Sequence, residues 1–101
     1  MKPFEWSKTK NEWLKNERGI SFEEIVTALN EGKIVITYNH SNQKKYPGQR
    51  VFVLEIDDYA FLVPFVEDEE KIFLKTIFRS RKATKRFLRT KNGGKDGQKD
   101  K

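Results

Sequence analysis

The stretch Ile20-Ser21-Phe22-Glu23-Glu24-Ile25-Val26-Thr27-Ala28-Leu29-Asn30-Glu31-Gly32-Lys33-Ile34-Val35-Ile36-Thr37-Tyr38 decides the fold, because one hydrophobic period gives way to another inside it. Phe22, Ile25, Val26 and Leu29 stand at i, i+3, i+4 and i+7, a single apolar stripe along a helix. Ser21-Phe22-Glu23-Glu24 reads as a capping box, with the Ser21 hydroxyl and the Glu24 carboxylate each set to satisfy a free amide of the first turn. Ile20 and Ile25 form the matching hydrophobic staple. Gly32 stops the helix, and Ile34 to Tyr38 then follows as a β-branched run of strand character.

Toward the N-terminus, Phe4-Glu5-Trp6 predicts a short strand and Ser7 a helix cap. Lys8 to Asn16 predicts a helix with Trp13 and Leu14 as its apolar side, closed by Gly19. Toward the C-terminus, Asn39 to Gly48 is a polar loop that ends in the turn pair Pro47-Gly48. Val51 to Ile56 is apolar on both faces until Glu55 and predicts an inner strand. Asp57-Asp58 is a tight turn into Tyr59 to Val66, a run that Pro64 must either bulge or leave as an edge. After the acidic turn Glu67 to Glu70, Lys71 to Arg79 predicts one alternating strand. Ile72, Leu74, Thr76 and Phe78 fall on one face, and Lys71, Phe73, Lys75, Ile77 and Arg79 on the other. Ser80 caps a last helix that runs to Arg89 and docks through Ala83, Phe87 and Leu88.

The expectation is α+β: a short N-terminal strand, two helices packed on a mostly antiparallel four-stranded meander, and a C-terminal basic helix. A chain of 101 residues closes one core, here rich in aromatics, with eight Phe, three Tyr and two Trp. Residues 1–91 are expected to form that domain and 92–101 a disordered basic tail, since Gly-Gly, Asp-Gly and scattered lysines bury nothing.

Composition removes several chemistries. With no cysteine there is no disulfide, thiolate zinc site or cysteine nucleophile. His40 is the only histidine and no glycine-rich phosphate loop is present, so neither a His-based metal cluster nor a cofactor is expected. No apolar run approaches the roughly 20 residues that span a bilayer, and Met1 to Glu12 holds no apolar signal region. A cytoplasmic protein without membrane contact is the expectation.

The net charge of +6 is unevenly spread. Lys82 to Lys91 is basic without an acid, whereas Glu55, Asp57, Asp58, Glu67, Asp68, Glu69 and Glu70 crowd the middle. A cationic end of this kind attracts polyanions at range. Lys75 and Arg79 share a strand face with Phe73 and Ile77, where a charge is costly unless it pairs with an acid, snorkels to water or faces a groove open to an anion. Arg50 enters the inner strand, Arg81 and Lys82 begin the last helix, and Arg50, Arg79 and Arg81 are expected to converge at one sheet edge. The polar loop contributes His40, Lys44, Lys45 and Tyr46. RNA cleaves itself when its 2′-hydroxyl attacks the adjacent phosphorus. That step needs a base, an acid and a stabiliser of charge: His, Lys or Tyr for protons and Arg for the phosphate, without a metal.

Several segments, in order, are similar to the BrnT-like toxins. They are Phe4-Glu5-Trp6, Lys10-Asn11-Glu12, Gly19 to Glu24, His40-Ser41-Asn42, Lys45 to Arg50, Tyr59 to Val66, Phe73 to Ile77 and Ser80 to Lys85. The resemblance spans roughly residues 3 to 90. It implies a RelE-like ribonuclease fold, an endoribonuclease that cleaves cellular RNA and arrests growth, and a small ribbon-helix-helix DNA-binding antitoxin as partner. It places the family's basic residues on Arg50, Lys75 and Arg81, with His40, Lys45 and Tyr46 nearby. Arg18, Leu14, Arg79 and Phe87 depart from the family pattern, standing where relatives carry His, Asn, Pro and Glu respectively. Two other readings stand beside the toxin. One is a non-catalytic RNA binder that lays Arg79, Lys82, Lys85 and Arg86 along a backbone, and the other is a module whose basic face docks an acidic partner.

Overall fold

The computed structural model describes residues 2–89 and runs β1 (Phe4–Trp6), α1 (Lys8–Arg18), α2 (Phe22–Asn30), β2 (Ile34–Asn39), β3 (Arg50–Ile56), β4 (Tyr59–Glu67), β5 (Ile72–Leu74), β6 (Phe78–Arg79) and α3 (Arg81–Ala83), the last continued by a π-helical turn, Thr84–Arg89. The expected tail, 92–101, lies outside the described residues. The fold is α+β. One sheet has the order β1-β5-β4-β3-β2, with β6 alongside β4, and every pairing is antiparallel except that of β1 with β5.

The caps form where the sequence places them. Ser7 accepts the Lys10 amide, Ser21 the Glu24 amide and Ser80 the Ala83 amide. Gly19 closes α1 in the left-handed conformation, at φ 66°. Glu24 departs from the reciprocal box: its carboxylate accepts the Ser21 hydroxyl. The amide of Phe22 is taken instead by the side chain of Asn11, which reaches across from α1.

The sheet is covered on both faces. Under α1 and α2 lie Phe52, Leu54, Phe61, Val63, Phe65, Leu74 and Ile77, packed with Leu14, Ile20, Phe22 and Ile25. Phe52 and Phe65 stack at 3.9 Å between centroids, and Trp6 stacks on Phe22 at 5.6 Å. Val53, Ala60, Ala83 and Leu88 form a second, smaller cluster on the opposite face. There the wider π winding of Thr84–Arg89 carries Leu88 into the same cluster as Ala83 of α3. Thr84 secures the same turn: its buried hydroxyl donates to the Ser80 carbonyl at 2.7 Å and accepts the Ala60 amide at 2.8 Å.

Two expectations need correction. Trp13 does not join Leu14 in the core; it is 43% exposed, with the Lys10 ammonium 4.6 Å and the Arg18 guanidinium 4.9 Å from its ring. The segment 71–79 is two strands rather than one. β5 pairs with Phe65 to Glu67 of β4 and β6 with Phe61 and Leu62, leaving Val63 and Pro64 between them. Pro64 has no amide to donate there, and only its carbonyl is used, by the Lys75 amide at 2.8 Å. The proline thus breaks neither its pairing with Val51 nor the β3 ladder, but splits the strand on its other side. Breaking the alternation lets Leu74 and Ile77 enter the same core, whereas unbroken pleating would set them on opposite faces.

Candidate nucleic-acid interface

The loop between β2 and β3 is held by its own amides. Gln43 bridges it: Nε2 donates to the carbonyls of His40 at 2.7 Å and Gln49 at 3.1 Å, and Oε1 accepts the Gly48 amide at 2.9 Å. Asn42 accepts the Lys45 amide on its side chain and the Tyr46 amide on its carbonyl. These two residues fold the loop so that His40 and Tyr46 meet, ring centroids 4.5 Å apart, with the Lys45 ammonium 5.4 Å from the Tyr46 ring. The backbone bond from His40 N–H to the Gln49 carbonyl ties this group to the start of β3, where Arg50 pairs with Asn39. The Arg50 guanidinium lies 5.7 Å from the Phe65 ring. His40, Lys45, Tyr46 and Arg50 therefore occupy one end of the sheet, all of them exposed except for part of His40.

The hydrogen bonding decides what His40 can do. Its Nδ1 accepts the Asn42 amide at 3.0 Å, so the neutral ring carries its hydrogen on Nε2. His40 then presents a donor to solvent. In this arrangement the ring offers an N–H outward, while its acceptor nitrogen is already used by the Asn42 amide.

The remaining cations lie elsewhere. Arg79 pairs with Phe61 of β4, whereas Arg50 pairs with Phe65, four residues along, about 13 Å away. Their guanidinium groups diverge further. Arg79 sits 4.5 Å from the Tyr59 ring, so the two cations rest on rings six residues apart, about 20 Å of strand. Arg81 follows Ser80, whose amide bonds the Ala60 carbonyl at that same far end of β4. The expected convergence of Arg50, Arg79 and Arg81 does not occur, because β6 and α3 return beside the start of β4 while Arg50 faces its end. Lys75 is exposed just beyond β5, its amide on Pro64, closer to the Arg50 end. Lys82 and Arg86 line an apolar groove beside Ile36 and Tyr38, and Lys85 is exposed on the same helical segment.

Sequence reading did not single out Gln43 as the organiser of the loop. Its signal is an amide side chain in a polar loop closed by Pro47-Gly48, where only a two-headed donor and acceptor can bridge both ends.

Residues 15–79 match the family model DUF4258, a domain of unknown function. That segment contains His40, Lys45, Tyr46, Arg50, Lys75 and Arg79, and stops short of the helix that carries Arg81, Lys82, Lys85 and Arg86. No curated protein and no solved structure matches the chain significantly. Among the described residues no helix is long and apolar enough to cross a membrane.

Proposed function

We propose, for a chain that belongs to the DUF4258 family, that it acts as a metal-independent endoribonuclease of toxin type, with its chemistry at the loop end of the sheet. The observation that supports this reading is the joining of His40, Lys45, Tyr46 and Arg50 by one loop whose backbone is pinned at both ends. Arg50 takes the scissile phosphate through its planar fork, and the His40 Nε2–H and the Lys45 ammonium add donors to its oxygens. With His40 and the Lys45 ammonium both held as donors, accepting the 2′-hydroxyl proton falls to the Tyr46 oxygen. The 2′-oxygen forms its bond to phosphorus as the bond to the 5′-oxygen breaks, and the Lys45 ammonium gives that oxygen its proton, leaving a 2′,3′-cyclic phosphate and a 5′-hydroxyl. Lys75, near that end, and Arg79, Arg81 and Lys85, further along the sheet, are places for flanking phosphates. Growth arrest and a small ribbon-helix-helix antitoxin belong to the same proposal, and rest on the resemblance to BrnT-like toxins alone.

Purified protein is expected to cut single-stranded RNA in EDTA and to leave cyclic phosphate ends. Arg50→Ala should lose on the order of 100-fold or more in rate, as for removal of one charge-stabilising donor. Arg81→Ala, some 13 to 20 Å away by strand count, should lose far less. Folded protein that cuts no RNA sinks the proposal, and equal losses in the two variants sink the placement of the site.

The separation of Arg50 from Arg79 and Arg81 also favours a second reading, a basic RNA binder without catalysis. About five phosphate contacts on a single strand would then give a log–log salt slope near −3.5 and no cleavage.

A further inference from the structure

We infer that the free edge of β2, with the groove beside it, takes up an extended segment of a partner protein, in which alternate apolar residues are bracketed by acidic ones. Among the described residues β2 is the outer strand of the sheet, paired on one side only. Its residues Ile34 to Asn39 include no charge and no proline, the two devices that most often protect such an edge. A register shift between Ile34 and Ile36 leaves Ile36 to Asn39 as the regular portion. Because the His40 amide bonds the Gln49 carbonyl, ladder alternation turns the backbone groups of Thr37 and Asn39 away from β3 and toward an incoming strand.

The side chains next to that edge specify more than hydrogen bonding. Ile36 and Tyr38 are each about two-fifths exposed. With Leu62 and Phe87 they line a groove of about 430 Å³, whose charged members are Lys82 and Arg86. Among the described residues, no acidic one lines it. An added strand places every second side chain over this face, so two apolar residues meet Ile36 and Tyr38. Acidic residues at the next positions on that face reach the two cations.

Other occupants fit less well. Residues 90–101 contain no apolar side chain and are themselves net basic. A second copy would bring another chain of charge +6 against Lys82 and Arg86. RNA meets Lys82 and Arg86 through its phosphates but offers no strand to pair with both the amides and the carbonyls of Thr37 and Asn39. This surface does not depend on the nuclease reading, which uses the loop end of the sheet.

The test uses a fluorescent synthetic peptide, Glu-Thr-Val-Thr-Val-Thr-Glu, and its permutation Glu-Val-Val-Thr-Thr-Thr-Glu, against the full chain. Anisotropy should show binding of the first and at least about tenfold weaker binding of the second, with new hydrogen-exchange protection at Thr37 and Asn39. Thr37→Pro removes an outward amide without touching the β3 ladder. It should weaken binding by about tenfold or more while leaving RNA cleavage unchanged. Lys82→Glu with Arg86→Glu, both exposed, should do the same to binding. Equal affinity for the two peptides, or undiminished binding by folded Thr37→Pro, overturns the inference. So does a dimer of the chain that Thr37→Pro dissolves, which would make a second copy the occupant. Displacement of the peptide by oligouridylate through Lys82 and Arg86 would instead assign the groove to RNA.

Discussion

The two faces of the sheet are built to different standards. Under α1 and α2, eleven buried residues join in one cluster, and Phe4, Trp6, Val26, Leu29, Ile56, Tyr59 and Ile72 pack around it. Under α3 and its π turn, four buried residues suffice among those described, and Ile36 and Tyr38 stay substantially exposed in the groove alongside. Two helices of nine and eleven residues close the first face, whereas the described part of the second has a helical segment of three residues extended by a π turn. Stability is therefore concentrated on one side, which frees the other to present side chains that a closed core would hide.

The largest effect expected from this contrast is in the closed face. Phe22 is fully buried, stacked on Trp6 and carried on the stripe that seals α2 to the sheet. Phe22→Ala should cost about 3–5 kcal/mol in urea unfolding, the range for a large aromatic deleted from a packed core. Leu88→Ala, in the smaller cluster, should cost less because its surroundings can relax into the groove. If Leu88→Ala proves the more damaging of the two, the ranking of the faces is reversed.

Most of this asymmetry was legible in the residues. The helix at Phe22 to Asn30, the caps at Ser7, Ser21 and Ser80, the inner strand after Arg50 and the docking of Ala83 and Leu88 all follow from local periods and local hydrogen bonding. What escaped was long-range. The division of 71–79 depends on which part of β4 stands opposite, and Pro64 is distant in sequence from the strand that it splits. The dispersal of Arg50, Arg79 and Arg81 has the same origin: strand order is set by the whole sheet, and composition locates a charge without its neighbours. Asn11 escaped for another reason. It lies at i−3 from Leu14 on the buried side of α1, where a polar side chain reads as a flaw until its partners on α2 are known.

Asn11 supplies the intermediate effect. Its Oδ1 accepts the Phe22 amide at 2.7 Å and its Nδ2 donates to Glu23 at 2.8 Å, so one buried side chain joins the two helices of the closed face. Asn11→Ala should cost about 1–3 kcal/mol, chiefly by orphaning the Phe22 amide. It should also flatten the acid limb of the stability curve. The Asn11 amide, helped by a backbone N–H, holds the Glu23 carboxyl below its ordinary range. A depressed carboxyl contributes stability that is present above its unfolded value and is lost as pH falls through the folded one. Wild type should therefore lose more stability than Asn11→Ala between about pH 5 and pH 3, and the gap between them should narrow. Parallel curves would show that Asn11 acts through the Phe22 amide alone.

The smallest effect tests the open face directly. Ile36 keeps roughly two-fifths of its surface in water although it is a large aliphatic residue on a strand. Ile36→Thr retains the branched Cβ that suits a strand and removes apolar area that is already partly solvated. If the face is open in the free protein, melting should report a change within about 0.5 kcal/mol, and binding of a hydrophobic dye should fall. A cost of about 1.5 kcal/mol or more would mean that something covers Ile36 in solution. The second face would then be a core like the first, with its lid contributed from outside the described residues.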